Sequence, residues 1–290
     1  MAEGMSSGFV TRFAPSPTGL LHRGHAFSAL LASQAARAAG GRFLLRIEDI
    51  DTERCRAAYD AAILGDLAWL GLNWEEPVRR QSAHLEHYRA ALERLRARGL
   101  LYRCFRTRRQ VLDGIAGAPH EAGAPPFHGE ALPPDEEARR VAAGEPFAWR
   151  LSLEAARKAL GPAWGDLAFT EEGVGPAGET GLISVRPEIA GDVILARKDL
   201  GVAYHLAVVA DDALQGVSHV IRGHDLFEAA HVQRLLQALL DLPAPVYRHH
   251  RLILRPDGKR FAKRDTTETL ADIRAHGVTP GDLRRELGLD

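Results

Sequence analysis

The sequence has little lysine and little cysteine. Its 37 basic residues include only four lysines, and these are Lys158, Lys198, Lys259 and Lys263. Two cysteines, Cys55 and Cys104, are too few for a disulfide framework and suit a reducing compartment. No apolar run is long enough to cross a bilayer, and the opening residues MAEGMSSG lack the basic and apolar regions of a signal peptide. We therefore expect a cytoplasmic protein that has no membrane partner.

Net charge is also small. The 37 basic and 38 acidic residues give a formal charge of -1, which excludes a protein that coats nucleic acid by bulk charge but permits a local basic patch. With 290 residues, 46% of them hydrophobic, the chain can bury a large core and does not have the composition of a disordered protein.

The pattern of the first fifty residues predicts a βαβ unit. GFVTRFA is typical of a short strand, the run from Gly24 to Gly40 has the apolar spacing of a helix, and RFLLRIEDID is an apolar strand that ends in carboxylates. Two helices are predicted between residues 56 and 102, and a Gly- and Pro-rich stretch within 103–190 indicates an irregular insertion. The βα pattern resumes with GVAYHLAVVADDAL, VSHVIRG, a helix and VYRHHRLIL. We expect an α/β fold whose ligand lies beyond the carboxyl ends of parallel strands.

The loop RFAPSPTGLLHRGH stands where a nucleotide-binding loop would stand, between the first strand and the first helix. It is neither a GxGxxG loop nor a Walker loop, which disfavours a dinucleotide or P-loop site. It places His22, Gly24 and His25 at a helix start, where imidazole N–H groups and backbone amides can hold phosphate oxygens. The alternative is that the two histidines cap a helix by chance.

A second candidate phosphate site is KRFAKR, residues 259–264, which follows the turn RPDG. The ammonium group of Lys263 on such a loop can follow charge that develops on a polyphosphate. A solvated basic loop is the alternative.

Together these segments resemble the class I glutamyl-tRNA synthetases, which carry signatures called HIGH and KMSKS. The resemblance rests on RFAPSPTG, HRGH, RIEDID, YHLAVVADDAL, VIRGHD and DGKRFAKR, in this order. The two signatures correspond to residues 22–25 and 260–264. The implied fold is α/β, a Rossmann-like class I aminoacyl-tRNA synthetase catalytic domain with an inserted connective module and no anticodon-binding domain. Its implied parts are a first catalytic half (1–102), an inserted acceptor-type module (103–190), a second catalytic half with the KMSKS-type loop (191–265) and a short helical C-terminal segment (266–290).

The resemblance also implies the site residues and the chemistry. L-glutamate would be bound by Arg12, Phe13, Ala14, Pro15, Ser16, Glu48, Tyr204 and Arg222. ATP, with Mg²⁺, would be bound by His22, Gly24, His25 and Lys263. Arg12 and Arg222 would face the substrate carboxylates and Glu48 its ammonium group, while His22, His25 and Lys263 would stabilise charge on the phosphates during attack on the α-phosphorus. Taken singly, each residue has an ordinary explanation, such as an arginine that pairs with a neighbour or a tyrosine in the core of an apolar strand.

The chain ends about 25 residues after the KMSKS-type motif, where long members of the family continue into a helical anticodon-binding region. In this respect it resembles truncated paralogues that transfer glutamate to the queuosine base in the anticodon loop of tRNA(Asp). We therefore expect an ATP-dependent ligase that modifies tRNA, acts as a monomer and has the anticodon stem-loop of tRNA(Asp) as its partner.

These paralogues commonly carry a zinc site, and its ligands are mostly missing here. Only Cys104 remains of the first pair, and Phe127 and Ala131 stand at the later positions, whereas a closed zinc site needs four ligands. We expect no zinc, with apolar or arginine contacts in its place; a site rebuilt from Cys104 with His120 or His128 is the alternative. The neighbouring candidates for RNA phosphate contacts are Arg103, Arg106, Arg108 and Arg109, unless they form a solvated basic helix.

Three other functions remain open. A compact glutamyl-tRNA synthetase that charges a tRNA 3′ end would have the same site. Another nucleotidyltransferase would explain the HxGH motif but not Arg12, Glu48, Tyr204 and Arg222 together. A non-catalytic RNA-binding paralogue is disfavoured because the phosphate-binding residues are all present.

Overall fold

The computed structural model describes residues 8–107, 110, 126–197, 201–253 and 268–289. Its strands are β1 Val10–Phe13, β2 Arg42–Ile47, β3 Glu75–Arg80, β4 Leu101–Cys104, β5 Ala148–Leu151, β6 Ala168–Glu171, β7 Gly181–Ser184, β8 Ile194–Arg197, β9 Gly201–Val202, β10 His219–Gly223 and β11 Val246–His250. Its helices are α1 Arg23–Ala38, α2 Ala57–Trp69, α3 Leu85–Ala97, α4 Pro134–Ala142, α5 Leu153–Leu160, α6 Tyr204–Leu214, α7 Phe227–Leu239, α8 Leu270–Ala275 and α9 Pro280–Leu287. No helix in these ranges is both long enough and apolar enough to span a membrane.

Two sets of parallel strands lie side by side. In the first, β1, β2 and β3 pair in that order, with Val10 opposite Arg42. In the second, β10 pairs with β11, with Arg222 opposite His249. The backbone N–H of Ser218, just before β10, donates to the carbonyl oxygen of Val10 at 2.9 Å, so β10 lies beside β1. The resulting order β3-β2-β1-β10-β11 confirms the predicted βαβ unit and the Rossmann-like α/β fold.

The sequence of the central strands explains their burial. β2, with the sequence RFLLRI, is buried at every position after Arg42, which is typical of a parallel strand covered on both faces. On one face α1 packs with the C-terminal helices α8 and α9, and on the other α3, α6 and α7 pack together. Side chains such as Leu30, Leu67 and Leu235 are fully buried, and each stabilises the fold by about 1.5–3 kcal/mol.

A second, antiparallel sheet pairs β4, β5, β8 and β9 in that order. Strand β6, which also lies within the predicted insertion, pairs instead with β11 and extends the parallel sheet, and β7 pairs antiparallel with β6. The domain borders at residues 103, 190 and 265 stay predictions.

Two segments have a secondary structure that their sequences did not indicate. Tyr204 begins helix α6 instead of lying in a strand. This helix is buried on every side from Leu206 to Asp212, so its apolar run has no one-sided helical pattern that would distinguish it from a buried strand. The charged segment EEPVRR forms strand β3, although its burial is only partial. β3 is an edge strand of its sheet. Its backbone pairing with β2 stabilises it as a strand although it lacks the alternating hydrophobic pattern of a buried strand.

Candidate active site

A cavity of about 570 Å³ lies at the carboxyl ends of β1, β2 and β10, in the crevice between the two sets of parallel strands. It brings together the predicted site residues Arg12, Phe13, Ala14, Pro15, Ser16, His22, Gly24, His25, Glu48, Tyr204 and Arg222. Lys263 and the whole KMSKS-type loop, residues 260–264, lie outside the described residues. Three polar residues of the lining were given no role from the sequence. Asp225 ends the segment VIRGHD, from which only Arg222 was assigned, while Ser28 and His250 lie outside the motifs that carry the resemblance.

His22 and His25 stand at the amino end of α1. The Nδ1 atom of His22 accepts from the backbone N–H of Gly24 at 3.1 Å, and the backbone N–H of His22 donates to the Nδ1 atom of His25 at 3.2 Å. Since both Nδ1 atoms accept, the neutral rings carry their proton on Nε2. Two imidazole donors therefore meet the positive end of the helix dipole on one cavity wall, an arrangement that favours a phosphate group.

Gly24 keeps this wall open. A Cβ atom built at residue 24 would lie 3.1 and 3.2 Å from ring atoms of His22, closer than ordinary van der Waals contact. Any side chain here would push the His22 ring away from the position in which it caps the helix.

Arg222 is a buried cation whose hydrogen-bond partners in the protein are neutral. Its Nε donates to Nε2 of His249 at 3.0 Å, Nη1 to the side-chain oxygen of Gln233 at 2.9 Å, and Nη2 to the carbonyl oxygen of Leu226 at 2.9 Å. No carboxylate among the described residues lies within ion-pair distance of it, and only 5% of the residue is exposed. Because a buried charge without a counterion is costly, the cavity side of Arg222 is suited to an anion.

A carboxylate on α6 connects two other groups of the site. Oδ1 of Asp212 accepts from Nε of Arg12 at 3.1 Å and from Nη1 of Arg46 at 2.7 Å. Arg46 is fully buried, and its Nη2 donates to Oε1 of Glu48 at 3.1 Å. Asp212 and Arg46 therefore fix Arg12 and Glu48 relative to one another. Although burial opposes ionisation, the guanidinium groups of Arg12 and Arg46 hold the pKa of Asp212 below its usual range.

The adjacent Asp211 completes a neutral cluster beneath the cavity. Its carboxylate accepts from Nε of Arg79 at 2.7 Å, from Nε2 of Gln81 at 2.9 Å and from the hydroxyl of Tyr88 at 2.8 Å. The three arginines of the cluster match its three carboxylates: Arg12, Arg46 and Arg79 against Glu48, Asp211 and Asp212. Arg222 lies outside this balanced cluster, and no carboxylate of the described residues contacts it directly.

Burial shifts the pKa values of two further groups that line the cavity. Burial raises the pKa of the Glu48 carboxyl, although Arg46 and Arg12 oppose the shift. Burial also raises the pKa of the Tyr204 hydroxyl, which therefore stays protonated and can donate. The backbone N–H of Glu48 donates to the carbonyl oxygen of Pro15 at 3.0 Å, so the loop after β1 and the end of β2 hold each other in place.

A smaller cavity of about 310 Å³ adjoins the first and shares Ser16, Glu48 and Tyr204 with it. Its other polar lining side chains are Asp51, Arg54, Gln81 and Arg197. The two cavities are therefore neighbours on either side of these three residues.

In the region where the resemblance places the zinc site of the paralogues, and where we expect none, hydrogen bonds and an arginine hold the structure together. Asp192 accepts from the hydroxyl of Tyr102 at 2.9 Å and from the backbone N–H groups of Gly129 and Leu153, both at 3.0 Å. The guanidinium of Arg150 lies 4.4 Å from the centre of the Phe127 ring, an arginine contact of the expected kind.

Metal ligands in this region are sparse among the residues that the structure describes. No group of three or more His, Cys, Asp or Glu side chains there is placed to hold a metal ion, and Cys104 is buried on β4. His120 lies outside the described residues, so the expected absence of zinc stays a prediction.

The arginines flanking Cys104 differ in their surroundings. Arg103 lies 4.5 Å from the centre of the Trp149 ring and forms an ion pair with Glu137, and Arg106 lies 5.9 Å from the centre of the Phe127 ring. Arg108 and Arg109 lie outside the described residues. Contact of these residues with RNA stays a prediction.

The chain matches a known family along nearly its whole length. A family model described as class I tRNA synthetases (E and Q), catalytic domain, matches residues 9–289. The glutamyl-Q tRNA(Asp) synthetase of Rhodobacter capsulatus is 51% identical over 304 residues, which cover 97% of this chain and 100% of that protein. The glutamyl-Q tRNA(Asp) synthetase of Symbiobacterium thermophilum is 43% identical, over 93% of this chain and 82% of that protein.

Longer relatives match only in part. The glutamate–tRNA ligase of Synechococcus sp. strain CC9311 is 37% identical, over 96% of this chain and 57% of that protein. A crystal structure of a glutamate tRNA ligase from Elizabethkingia meningosepticum, in complex with its amino acid, superposes with a TM-score of 0.72 at 28% identity, over 89% of this chain and 52% of that one. This chain thus spans about half the length of that solved structure. Because the fold, the family model and the relatives agree, the chain belongs to the class I tRNA synthetases of the E and Q group and is a ligase.

Proposed function

We propose that the protein activates L-glutamate with ATP and transfers it to the queuosine base of tRNA(Asp). The observation that carries this proposal is Arg222, a buried cation with neutral protein partners that faces a cavity containing Glu48 and Tyr204. A second observation favours queuosine over a tRNA 3′ end as the acceptor. The match covers 80–100% of the glutamyl-Q tRNA(Asp) synthetases of four bacteria, whereas it covers only 57% of the glutamate–tRNA ligase of Synechococcus.

Glutamate fits the charge pattern of the larger cavity. Arg222 and Arg12 bind the substrate carboxylates, and the carboxylate of Glu48 receives the ammonium group. The Tyr204 hydroxyl donates to the substrate, and the loop of residues 13–16 completes the seat. If glutamine were bound as the substrate, its neutral amide would face a buried guanidinium that has no anion to pair with. The free energy lost in this way makes the site favour glutamate over glutamine.

ATP occupies the wall formed by the start of α1. The Nε2–H groups of His22 and His25 donate to phosphate oxygens, Gly24 allows the nucleotide to approach, and Lys263 contributes from the loop outside the described residues. The glutamate α-carboxylate attacks the α-phosphorus, a P–O bond forms to glutamate, and pyrophosphate leaves with its electron pair. The residues act by position and charge, with no covalent bond to the protein. Mg²⁺ enters with ATP, whose phosphate oxygens are its preferred ligands.

The smaller cavity receives the acceptor. A hydroxyl of the queuosine base attacks the carbonyl carbon of glutamyl adenylate, an ester forms, and AMP leaves. This placement is supported by the three residues that line both cavities, Ser16, Glu48 and Tyr204, because it puts the acceptor next to the glutamate. Asp51 and Arg197 line the smaller cavity and can form hydrogen bonds with a polar acceptor. The anticodon stem-loop of tRNA(Asp) is the macromolecular partner, and the protein acts as a cytoplasmic monomer.

Transfer of labelled glutamate tests this function. The reaction is run with ATP and purified tRNA(Asp), with and without queuosine, and with tRNA(Glu) in parallel. We expect label only on tRNA(Asp) that contains queuosine. Label on tRNA(Glu) alone would establish a compact charging enzyme, and no label on any of these RNAs would overturn the proposal.

Glutamate binding is expected to weaken in acid because the pKa of Glu48 is raised. Below that pKa the carboxyl is neutral and no longer pairs with the substrate ammonium, so KM for glutamate rises as the pH falls through it. Glu48→Gln should raise KM for glutamate roughly tenfold or more at neutral pH, which corresponds to about 1.4 kcal/mol, and should flatten its pH profile. Glutamate-dependent ATP–pyrophosphate exchange measures both, with KM for ATP as the internal control. A variant that keeps the wild-type profile would remove Glu48 from this role.

A further inference from the structure

We propose that Glu171 and His249 are positioning residues that hold the guanidinium of Arg222 in the orientation in which it meets the substrate. The proposal rests on the proposed function, since it takes glutamate as the ligand of Arg222. It adds two residues that the sequence motifs do not include and that do not line the cavity.

The three side chains form a chain of hydrogen bonds across neighbouring strands. Arg222 on β10 is the register partner of His249 on β11, and β11 pairs in turn with β6, which ends at Glu171. Nε of Arg222 lies 3.0 Å from Nε2 of His249, and Nδ1 of His249 lies 2.5 Å from Oε2 of Glu171. The side chains of His249 and Glu171 are fully buried, so water does not substitute for either partner.

Arg222 at one end of this hydrogen-bond series and Glu171 at the other determine which nitrogen of the His249 ring carries the proton. Every nitrogen of a guanidinium is a donor, so His249 must accept from Arg222 at Nε2. The proton of the neutral ring then lies on Nδ1, where it donates to the Glu171 carboxylate. Glu171 selects this tautomer, in the way that carboxylates orient the histidines of other sites.

Glu171 is itself fixed by the backbone. Its Oε1 atom accepts from the backbone N–H groups of His249 and Gly173, both at 2.8 Å. Both carboxylate oxygens therefore have assigned donors. The carboxylate stays one imidazole ring away from Arg222, so it orients the guanidinium without forming an ion pair that would compete with the substrate.

Glu171→Gln tests the proposal because it keeps the shape and reverses one hydrogen bond. The glutamine oxygen can still accept from both backbone N–H groups, but its NH₂ group then faces Nδ1 of His249. The ring must shift its proton to Nε2, where it opposes the Nε–H of Arg222. We expect the Kd for glutamate to rise roughly tenfold or more, with KM for ATP changed less than about threefold.

Glu172→Gln is the matched control. Glu172 is the next residue, it is 40% exposed, and it pairs with Arg248 at 3.3 Å on the surface. The control should bind glutamate like the wild type. A purely structural role of Glu171 would instead lower the thermal stability of Glu171→Gln and leave its affinity for glutamate intact, which would overturn the proposal.

The tautomer can also be read directly in the wild type. Imidazole ¹⁵N NMR should show a protonated Nδ1 on His249, a signal identified by its loss in His249→Gln. A protonated Nε2 would overturn the proposal even if Glu171→Gln failed to fold. In Glu171→Gln/His249→Gln an amide oxygen can again accept from Arg222, so the double variant should bind glutamate more tightly than Glu171→Gln. Failure of the wild type itself to bind glutamate would overturn the proposed function together with the positioning role of Glu171 and His249. Unchanged glutamate binding by Glu171→Gln would overturn the positioning role alone.

Discussion

Replacing Asp212 with asparagine is expected to lower the free energy of unfolding by about 3–5 kcal/mol and to weaken glutamate binding. Asp212 is the shared acceptor of Arg12 and Arg46, and both guanidinium groups are almost entirely buried. Asparagine leaves two buried cations with one fewer counterion, and its NH₂ group meets their N–H groups as a competing donor. Equilibrium urea unfolding measures the loss of stability, and pyrophosphate exchange measures the loss of glutamate binding.

The pH dependence of the same variant has a defined sign. Because the pKa of Asp212 is lowered in the folded protein, its stabilising contribution is present above the unfolded pKa and is lost as the pH falls through the folded pKa. The difference in unfolding free energy between wild type and Asp212→Asn should therefore narrow in acid. Asp166→Asn, which changes an exposed carboxylate, should be close to wild type at every pH. A difference that stayed constant down to strongly acidic pH would exclude an ionised Asp212 as its cause.

Much of the cavity lining could be predicted from the motifs because they lie at the ends of parallel strands, and the geometry of the sheet brings those ends together. Arg12, Glu48 and Arg222 each stand near the carboxyl end of a parallel strand, and such ends converge at one edge of a sheet. His22 and His25 follow from the helix start after β1. For these residues, knowing which segments are strands was enough to bring the side chains together.

The groups behind the lining could not be predicted in the same way. Arg12 and Asp212 are separated by 200 positions in the sequence, and His249 and Glu171 by 78, so no local pattern connects them. Arg46 stands in an apolar strand, where hydrophobic periodicity gives a charged residue no reason to be buried. Its burial becomes intelligible only when α6 brings Asp211 and Asp212 against it, which is a consequence of tertiary packing.

Replacing Arg222 with glutamine is expected to lower kcat/KM for glutamate by roughly a thousandfold, since removing one partner of a buried charged pair costs about 2–5 kcal/mol. Lysine keeps the charge, but one ammonium cannot serve His249, Gln233 and the Leu226 carbonyl while also meeting the ligand. Arg222→Lys should therefore lose roughly ten- to hundredfold, an intermediate effect that separates charge from the geometry of the guanidinium.

The readout that makes this series decisive is discrimination between glutamate and glutamine, measured by pyrophosphate exchange with each amino acid. Arg222→Gln removes the cation that penalises a neutral amide, so the preference for glutamate should fall together with its kcat/KM, whereas Arg222→Lys should retain the preference. Arg248→Gln, on the same sheet but half-exposed, is the control and should match the wild type. If Arg222→Gln kept both its rate and its preference while Arg12→Gln lost them, the acidic side chain of the substrate would be read by Arg12. Arg222 would then have to bind an anion other than the substrate side chain.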